Sequence, residues 1–279
     1  MANSFRENIF RFISFVSYFF RAESKFDVHS PLVFDFINNV LEEDKWYYCF
    51  NDIEQLRSVL LSSEETMVVT DFGAGSQVLT SKQRKIKDIA ANSLSTPYFC
   101  QILFSLTQWL KPKKVLELGT SLGVSTLYIS KSGSTAEIIT IEGCSKIAEK
   151  AAQAFKLYNA DNIKLINGDF DSVLVSTLKE SGKTNLFVID GNHRRQATLR
   201  YFEQCLAHAD EKAVFVFDDI YWSAEMAEAW QEIKSHPKSR LTIDIFQYGL
   251  VFLHDDVLEK QHFTLIDSKY KFWRTGLFA

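Results

Sequence analysis

The chain has 279 residues, of which 46% are hydrophobic, and a formal net charge of −4. This composition is typical of a globular protein with a sizeable core, and the net charge gives the chain as a whole no attraction to nucleic acid or an anionic membrane. Its four cysteines are scattered without a C-x-x-C pair. That pattern argues against a zinc site or a disulfide framework and predicts a reducing, cytoplasmic location.

Residues 1–95 are predicted to form a mainly helical extension. Arg11 interrupts the first apolar run, which is also too short to span a membrane, so neither a signal peptide nor an integral membrane segment is expected. A helix on a membrane surface and a helix packed on its own core or on the partner of a homodimer both fit, and we favour packing against protein. One helical face of this run is apolar: Phe5, Ile9, Phe12, Ile13, Val16 and Phe20.

Further helix signals follow in the extension. Ser30 and Pro31 mark a helix start, with His29 either at the surface or facing a substrate. The stretch 68–76 looks like a strand and glycine turn, but we interpret it as a loop. The basic cluster 82–87 is interpreted as a solvated helix face. Three more stretches are predicted to be helical: 51–61, 86–91 and 98–110.

Residues 113–126 form the most informative stretch of the chain. An apolar run ends at Glu117 and Leu118, two glycines follow at 119 and 123, and a helix-compatible run begins at Val124. This is a buried strand, a tight turn and a helix start, either as a purely structural turn or as one that approaches a ligand. The pattern E-x-G-x-x-x-G is neither the dinucleotide fingerprint G-x-G-x-x-G nor a P-loop.

Strands and helices alternate over residues 96–255, with a tail at 256–279. The alternation predicts an α/β fold with a doubly wound, mostly parallel sheet. The connection around Tyr248 and Gly249 is too short for a parallel crossover, so the last two strands form an antiparallel hairpin. Seven strands are predicted, at 115–118, 137–141, 162–166, 186–189, 213–217, 241–246 and 250–253.

Acidic residues follow the first five of these strands. Ligands of open α/β sheets bind beyond the carboxyl ends of the strands, which is where these carboxylates fall. One acid in such a place is commonly a helix cap, but a convergence of all five favours a binding site. The positions are Glu117, Glu142, Asp169, Asp190 and the pair Asp218–Asp219.

The glycine turn resembles motif I of class I S-adenosylmethionine (SAM)-dependent methyltransferases, and the final hairpin resembles their seven-stranded sheet. The resemblance implies that Glu117 and the turn hold the methionine part of SAM, Glu142 the ribose, and Asp169 with Phe170 the adenine. The implied cofactor-binding set is Glu117, Gly119, Thr120, Ser121, Gly123, Ser125, Glu142, Gly143, Asp169, Phe170 and Asp190.

The segments 188–193 and 216–220 resemble metal-dependent small-molecule O-methyltransferases of the catechol and sugar or macrolide types. The resemblance implies that Asp190, Asp218 and Asp219 bind Mg²⁺. It also implies that His193 is the general base, with Asp190 as a second catalytic residue. The alternatives are that the acidic pair caps the next helix and that His193 lies at the surface. Tyr221 and Trp222 either line the acceptor site or pack in the interior.

The expected function is transfer of a methyl group from SAM to a hydroxyl of a small-molecule acceptor, assisted by Mg²⁺. A nucleic-acid substrate is disfavoured by the negative charge and by the absence of an Asn-Pro-Pro-Tyr motif. The alternative is a non-catalytic SAM-binding module that acts through its aromatic N-terminal helix. The acceptor's identity does not follow from the sequence, because loops and the N-terminal region build its pocket.

Overall fold

The computed structural model describes residues 2–70, 83–254 and 259–274. Its residues group into two compact units. We call Lys45–Asn192 the central unit, and Met1–Asp44 together with His193–Ala279 the terminal unit. This grouping divides the predicted 1–95 extension, because its second half belongs to the central unit. Among the described residues, no helix has both the length and the apolar character needed to cross a membrane.

The elements of the described residues follow one another in this order. The terminal unit begins with α1 (Ala2–Arg21), α2 (Pro31–Phe36) and a π-helical turn (Ile37–Leu41). The central unit contains α3 (Tyr48–Ser62), β1 (Thr66–Val68), β2 (Gln83–Lys85), α4 (Ile86–Ser93), α5 (Pro97–Leu110), β3 (Lys114–Leu118), α6 (Val124–Ser130), β4 (Glu137–Glu142), α7 (Ser145–Leu157), β5 (Ile163–Asn167), α8 (Phe170–Ser181) and β6 (Thr184–Ile189). The terminal unit resumes with α9 (Arg195–Leu206), β7 (Ala209–Phe217), α10 (Ala224–Ser235), β8 (Leu241–Asp244), β9 (Gly249–Phe252), β10 (Gln261–Thr264) and a 3₁₀ segment (Ser268–Arg274).

The central unit is built on four parallel strands in the order β6-β3-β4-β5. Strand β3 is buried over residues 115–118, as expected for a parallel strand that is covered on both faces. The helices α3 to α7 contribute to one apolar cluster, in which Phe50 contacts Phe104 and Tyr128. This order brings the carboxyl ends of all four strands to one edge of the unit.

The terminal unit contains the predicted antiparallel hairpin. Strand β9 pairs antiparallel with both β7 and β8, and β10 adds a parallel strand beside β8. The α/β class and all seven predicted strands are confirmed, and the described residues contain β1, β2 and β10 as additional strands. Helix α8 had no predicted counterpart, and β2 lies where a solvated helix face was expected. The predicted loop at 68–76 lies outside the described residues from 71 onward.

Helix α1 turns the opposite face to the protein from the one its apolar pattern indicated. Tyr18 is buried and donates to the carbonyl of Leu265 at 2.5 Å, and its ring lies beside that of Phe246. The predicted packing face is instead exposed at its described side chains, including Phe12 and Phe20. That face therefore does not pack on the chain's own core. Phe15 adds an edge-to-face contact with Phe246, and Phe19 packs against the cluster of Tyr18, Ala22 and Ile266.

Candidate functional site

The glycine turn after β3 comes very close to the end of β6. Gly119 has a φ of +104°, and a Cβ built there would lie 1.7 Å from the carbonyl oxygen of Asp190. The backbone N–H groups of Gly119 and Thr120 both donate to Ile141 O, at 3.0 and 3.2 Å. Only glycine fits such a position, because any side chain would collide with backbone. The turn is therefore held between the ends of β4 and β6.

Glu117 lies inside the central unit, directed away from solvent. Glu117 is 1% exposed, and its carboxylate accepts hydrogen bonds from three hydroxyl groups. Burial raises the pKa of this carboxyl group, while the hydroxyl donors partly offset that rise. In this structure Glu117 links β3 to the start of α6 and to β4. The donors are Ser125 Oγ at 2.8 Å, Thr126 Oγ1 at 2.5 Å and Thr140 Oγ1 at 2.7 Å.

Glu142, at the end of β4, connects the turn to the start of α7. Its two carboxylate oxygens accept from the backbone N–H groups of Ser121 and Cys144, each at 2.9 Å. Burial raises the pKa of Glu142, and these donors oppose the rise. Each carboxylate oxygen has a second lone pair, so the group retains acceptor capacity for a ligand's hydroxyls.

Asp169 and Phe170 lie where β5 passes into α8. Asp169 occupies the N-cap position of α8, but its side chain makes no capping hydrogen bond. The Phe170 ring lies against Gly191, where an added Cβ would be 2.6 Å from the ring. Gly168 N donates to Glu142 O at 3.0 Å. The ends of β4, β5 and β6 are thus linked to one another through backbone and ring contacts.

The central unit brings together all of its predicted cofactor-binding positions around one strand edge. Two polar side chains that the sequence did not single out belong to the same edge. Asn167 Nδ2 donates to the carbonyls of Glu142 and Gly143, at 2.7 and 3.2 Å. The Ser93 hydroxyl lies 2.8 Å from that of Ser121. Asn167 ends β5 two residues before Asp169, which is the signal that could have identified it.

In the terminal unit, a glutamine amide joins the acidic pair after β7. Gln247 Nε2 donates to Asp218 Oδ1 at 2.6 Å and to Asp219 Oδ1 at 2.7 Å. The backbone N–H of Asp219 also donates to Asp218 Oδ1, at 2.7 Å. Asp219 has a φ of +56°, an uncommon conformation for a residue with a side chain. The pair does not cap α10, because Ser223 accepts the hydrogen bond from Met226 N instead.

His193 lies beside one member of this pair. Its Nε2 is 3.9 Å from Asp219 Oδ2, and both side chains are partly exposed. A carboxylate beside an imidazole can hold the ring in the orientation that a general base needs. Tyr221, which follows the pair, is buried and donates to Asp244 Oδ2 at 2.5 Å, so it packs in the interior. Trp222 is more exposed and lies under the Arg11 guanidinium, at 4.3 Å.

The surroundings of the acidic pair determine whether it suits Mg²⁺. Mg²⁺ prefers several oxygen ligands in octahedral geometry. Among the residues that the structure describes, no group of three or more His, Cys, Asp or Glu side chains is placed to hold a metal ion. The two Oδ1 atoms instead face the N–H groups of Gln247, which are donors and cannot ligate a cation. The arrangement of Asp218 and Asp219 fits a hydrogen-bonded pair.

Comparisons with known proteins agree with this architecture. Residues 116–220 match the family described as "Methyltransferase domain". The chain is similar to O-methyltransferase hkm8 of Aspergillus hancockii, with 35% identity over 98 residues, which are 34% of this chain and 38% of that protein. It is also similar to protein-L-isoaspartate O-methyltransferase 2 of Archaeoglobus fulgidus, with 33% identity over 81 residues, which are 28% and 36% of the two chains. The chain thus spans less than two fifths of either relative.

A solved structure extends the likeness beyond the matched segment. The O-methyltransferase from Bacillus cereus in complex with S-adenosylhomocysteine (SAH) covers 79% of this chain and 96% of its own length, with a TM-score of 0.51 and 15% identity. At that identity the likeness establishes the fold. The predicted α/β fold with a doubly wound, mostly parallel sheet is therefore confirmed.

Proposed function

We propose that this chain, which has the class I methyltransferase fold, transfers a methyl group from SAM to a hydroxyl of a small molecule. The observation that carries the proposal is the meeting of the glycine turn, Glu142, Asp169–Phe170 and Asp190 at one strand edge of the central unit. Ligands of open parallel sheets bind at such an edge. The similar proteins are named as O-methyltransferases, which supports the same reaction class.

Each part of this edge has a distinct task in the proposal. The turn lets backbone approach the methionine part of SAM, since Gly119 leaves no Cβ in the way. Glu142 accepts from the ribose hydroxyls with its remaining lone pairs, and Phe170 offers a ring for the adenine. Glu117 acts indirectly, because its carboxylate is occupied by Ser125, Thr126 and Thr140 and links β3 to α6 and β4. Asp190 stays a proposed contact to the cofactor and acceptor.

His193 is the proposed general base. The attacking hydroxyl must lose its proton as the oxygen takes the methyl group from the sulfonium, and an imidazole is suited to that transfer near neutral pH. Asp219, at 3.9 Å from Nε2, stabilises the imidazolium that forms. The Mg²⁺ implied by the resemblance stays a prediction, and we derive no step through it, because Gln247 donates to both carboxylates of the pair.

Calorimetry and turnover together test the proposal. We expect SAH to bind the wild-type protein, and methylated product to form from SAM with members of a panel of phenols, catechols and sugars. A carboxyl-bearing peptide belongs in the panel, because one relative is named for methylation of protein isoaspartate. SAH binding without turnover on any acceptor would favour the non-catalytic module. Absence of SAH binding would contradict the proposal altogether.

A variant pair tests the base. His193→Ala should lower kcat by roughly 10²–10⁴-fold with little change in SAM affinity, as for loss of a general base. His29→Ala is the matched control, because His29 is an exposed histidine of the same unit and should keep full activity. Equal activities of the two variants would remove His193 from the mechanism.

A further inference from the structure

An amide side chain from the turn between β8 and β9 bridges the acidic pair. The amide group of Gln247 has two hydrogens, and its Nε2 donates to Oδ1 of Asp218 at 2.6 Å and to Oδ1 of Asp219 at 2.7 Å. Adjacent carboxylates repel each other, and a donor that they share offsets this repulsion. The other oxygen of Asp219 faces His193, with Oδ2 at 3.9 Å from Nε2. The amide thus holds one oxygen of Asp219 while the other is directed at the imidazole.

The backbone on both sides of this contact has a conformation that is unusual for residues with side chains. Asp219 has a φ of +56°, and Phe246, which precedes Gln247 in the turn, has a φ of +71°. Left-handed backbone at such residues persists only where the surrounding contacts impose it, and it is concentrated at functional sites. The two residues therefore belong to an arrangement that the fold maintains against local strain.

Other contacts of the terminal unit hold the turn in place. The Asp244 carboxylate accepts from the Tyr221 hydroxyl at 2.5 Å and from the backbone N–H of Phe246 at 2.9 Å. The rings of Tyr221 and Phe246 stack with their centroids 5.4 Å apart, and Tyr18 of α1 also contacts the Phe246 ring. None of these contacts uses the Gln247 side chain. A substitution of Gln247 therefore removes the amide and leaves these anchors of the turn intact.

We propose that Gln247 is a positioning residue, whose amide keeps Asp219 in the orientation that holds His193 ready to take the acceptor's proton. This role rests on the proposed methyl transfer, in which His193 is the general base. Gln247 acts through Asp219 and not by contact with the reacting atoms. Without the amide, the two carboxylates turn apart and Asp219 no longer fixes the imidazole. The rate of the chemical step then falls, while the binding of SAM and of the acceptor does not.

Gln247→Met tests the inference, because methionine has a similar volume and no N–H donor. With the phenol, catechol or sugar that the wild type methylates fastest, we expect kcat to fall by about ten- to hundredfold, while KM for SAM and for the acceptor changes by less than about twofold. In a His193→Ala background the same substitution should lower kcat by less than about twofold, because the residue through which Gln247 acts is gone. Gln261→Met, at the exposed start of β10, is the matched control and should leave kcat unchanged.

Two outcomes of these assays would overturn the proposal. Equal losses of kcat in the wild-type and His193→Ala backgrounds would show a general effect on the fold, and full activity of Gln247→Met would show no effect at all. All rates are measured below the unfolding midpoint of each variant, so that a lower kcat does not reflect unfolded protein.

Crystal structures of the wild type and of Gln247→Met supply a measurement that needs no turnover. We expect the Asp219 carboxylate to turn away from His193 in the variant, and an unmoved Asp219 would overturn the proposal. If the wild type methylates no acceptor, the proposed function fails, whereas the two structures still decide whether Gln247 holds Asp219.

Discussion

Gly119 is the residue at which the turn and the end of β6 approach most closely. Gly119→Ala should destabilise the protein by more than about 1 kcal/mol and abolish measurable SAM binding, because the new Cβ would collide with Asp190 O. Gly133→Ala is the control: Gly133 also has a positive φ, of +76°, but a Cβ there meets nothing within 4 Å. Denaturant unfolding and calorimetry measure both effects. Equal losses in the two variants would show that backbone strain, and not the close approach, decides the requirement.

Glu142 stabilises the fold and is also the proposed acceptor for the ribose hydroxyls of SAM. Glu142→Gln should weaken SAM binding by about 1–3 kcal/mol through lost charge-assisted hydrogen bonds. One amide oxygen cannot replace two carboxylate oxygens toward Ser121 N and Cys144 N, so stability should fall as well. Glu149→Gln, on the exposed part of α7, should change neither quantity appreciably. Unchanged SAM affinity in Glu142→Gln would remove the ribose assignment, whatever its stability.

Glu117 gives the stability of the chain a pH dependence of known sign. Its pKa is raised in the folded state, so its contribution is fully present below the ordinary value of 4.5 and is lost as the pH rises through the raised pKa. Glu117→Gln cannot ionise and keeps an acceptor for the hydroxyls. The free energy of unfolding of the wild type, relative to this variant, should therefore fall as the pH rises above 4.5. A difference that is constant with pH would show that Glu117 titrates normally.

Substitution of Gln247 tests, without an activity assay, whether Mg²⁺ binds at Asp218 and Asp219. If its amide holds the acidic pair, Mg²⁺ should leave the wild-type unfolding midpoint unchanged, while Gln247→Met should cost about 1–3 kcal/mol. Gln261→Met, on the exposed start of β10, is the control and should cost little. A midpoint of the wild type that rises with Mg²⁺ and falls with EDTA would instead show an ion at the pair.

At the scale of elements, helix capping distinguishes Ser223, which caps α10, from Asp169, which precedes α8 without a capping hydrogen bond. Ser223→Ala should destabilise the protein by about 1 kcal/mol, because Ser223 accepts from Met226 N at the start of α10. Asp169→Ala should cost less, since Asp169 makes no capping bond to α8, yet it should weaken SAM binding. Thermal unfolding and calorimetry on both variants decide the matter. A large stability loss without an affinity loss in Asp169→Ala would assign it to the fold.

Strong apolar runs made most elements predictable from the sequence. The strands β3, β4 and β6 are short blocks of Val, Ile, Leu and Phe between turn residues, and the hairpin follows from connection length alone. By contrast, β10 is a polar stretch beside β8 that lacks such a run. The orientation of α1 was missed because helical periodicity identifies an apolar face without saying what covers it.

The sequence indicates which residues follow the strands of the candidate site, but it does not indicate their contacts. The α/β rule places acids at strand ends, and the structure brings those of the central unit together. The rule does not say which way a carboxylate points. Glu117 faces inward because hydroxyls of α6 and β4 surround it there. The contact of Gln247 with the acidic pair could not be predicted either, because Gln247 belongs to a hairpin that is distant from the pair in sequence.

At the scale of the whole molecule, cofactor binding should be visible as stability. A ligand that binds only the folded protein adds about 2.7 kcal/mol at a concentration one hundred times its Kd. Saturating SAH should therefore raise the unfolding midpoint, and the rise should disappear in Gly119→Ala. Adenosine, which lacks the methionine part, is the control and should give a smaller rise. A midpoint that SAH does not move would contradict cofactor binding by the central unit.

The four free thiols allow the unfolding of each compact unit to be followed separately by chemical labelling. Cys100 and Cys144 are buried in the central unit, Cys205 is buried in the terminal unit, and Cys49 is partly exposed. Burial raises the pKa of Cys100 to about 12 and also raises that of Cys205, so neither forms the reactive thiolate until its surroundings open. In pulsed alkylation through a denaturant gradient, simultaneous labelling of Cys100 and Cys205 would mean that the chain melts as one cooperative block. Labelling at different denaturant concentrations would identify which of the two units unfolds first.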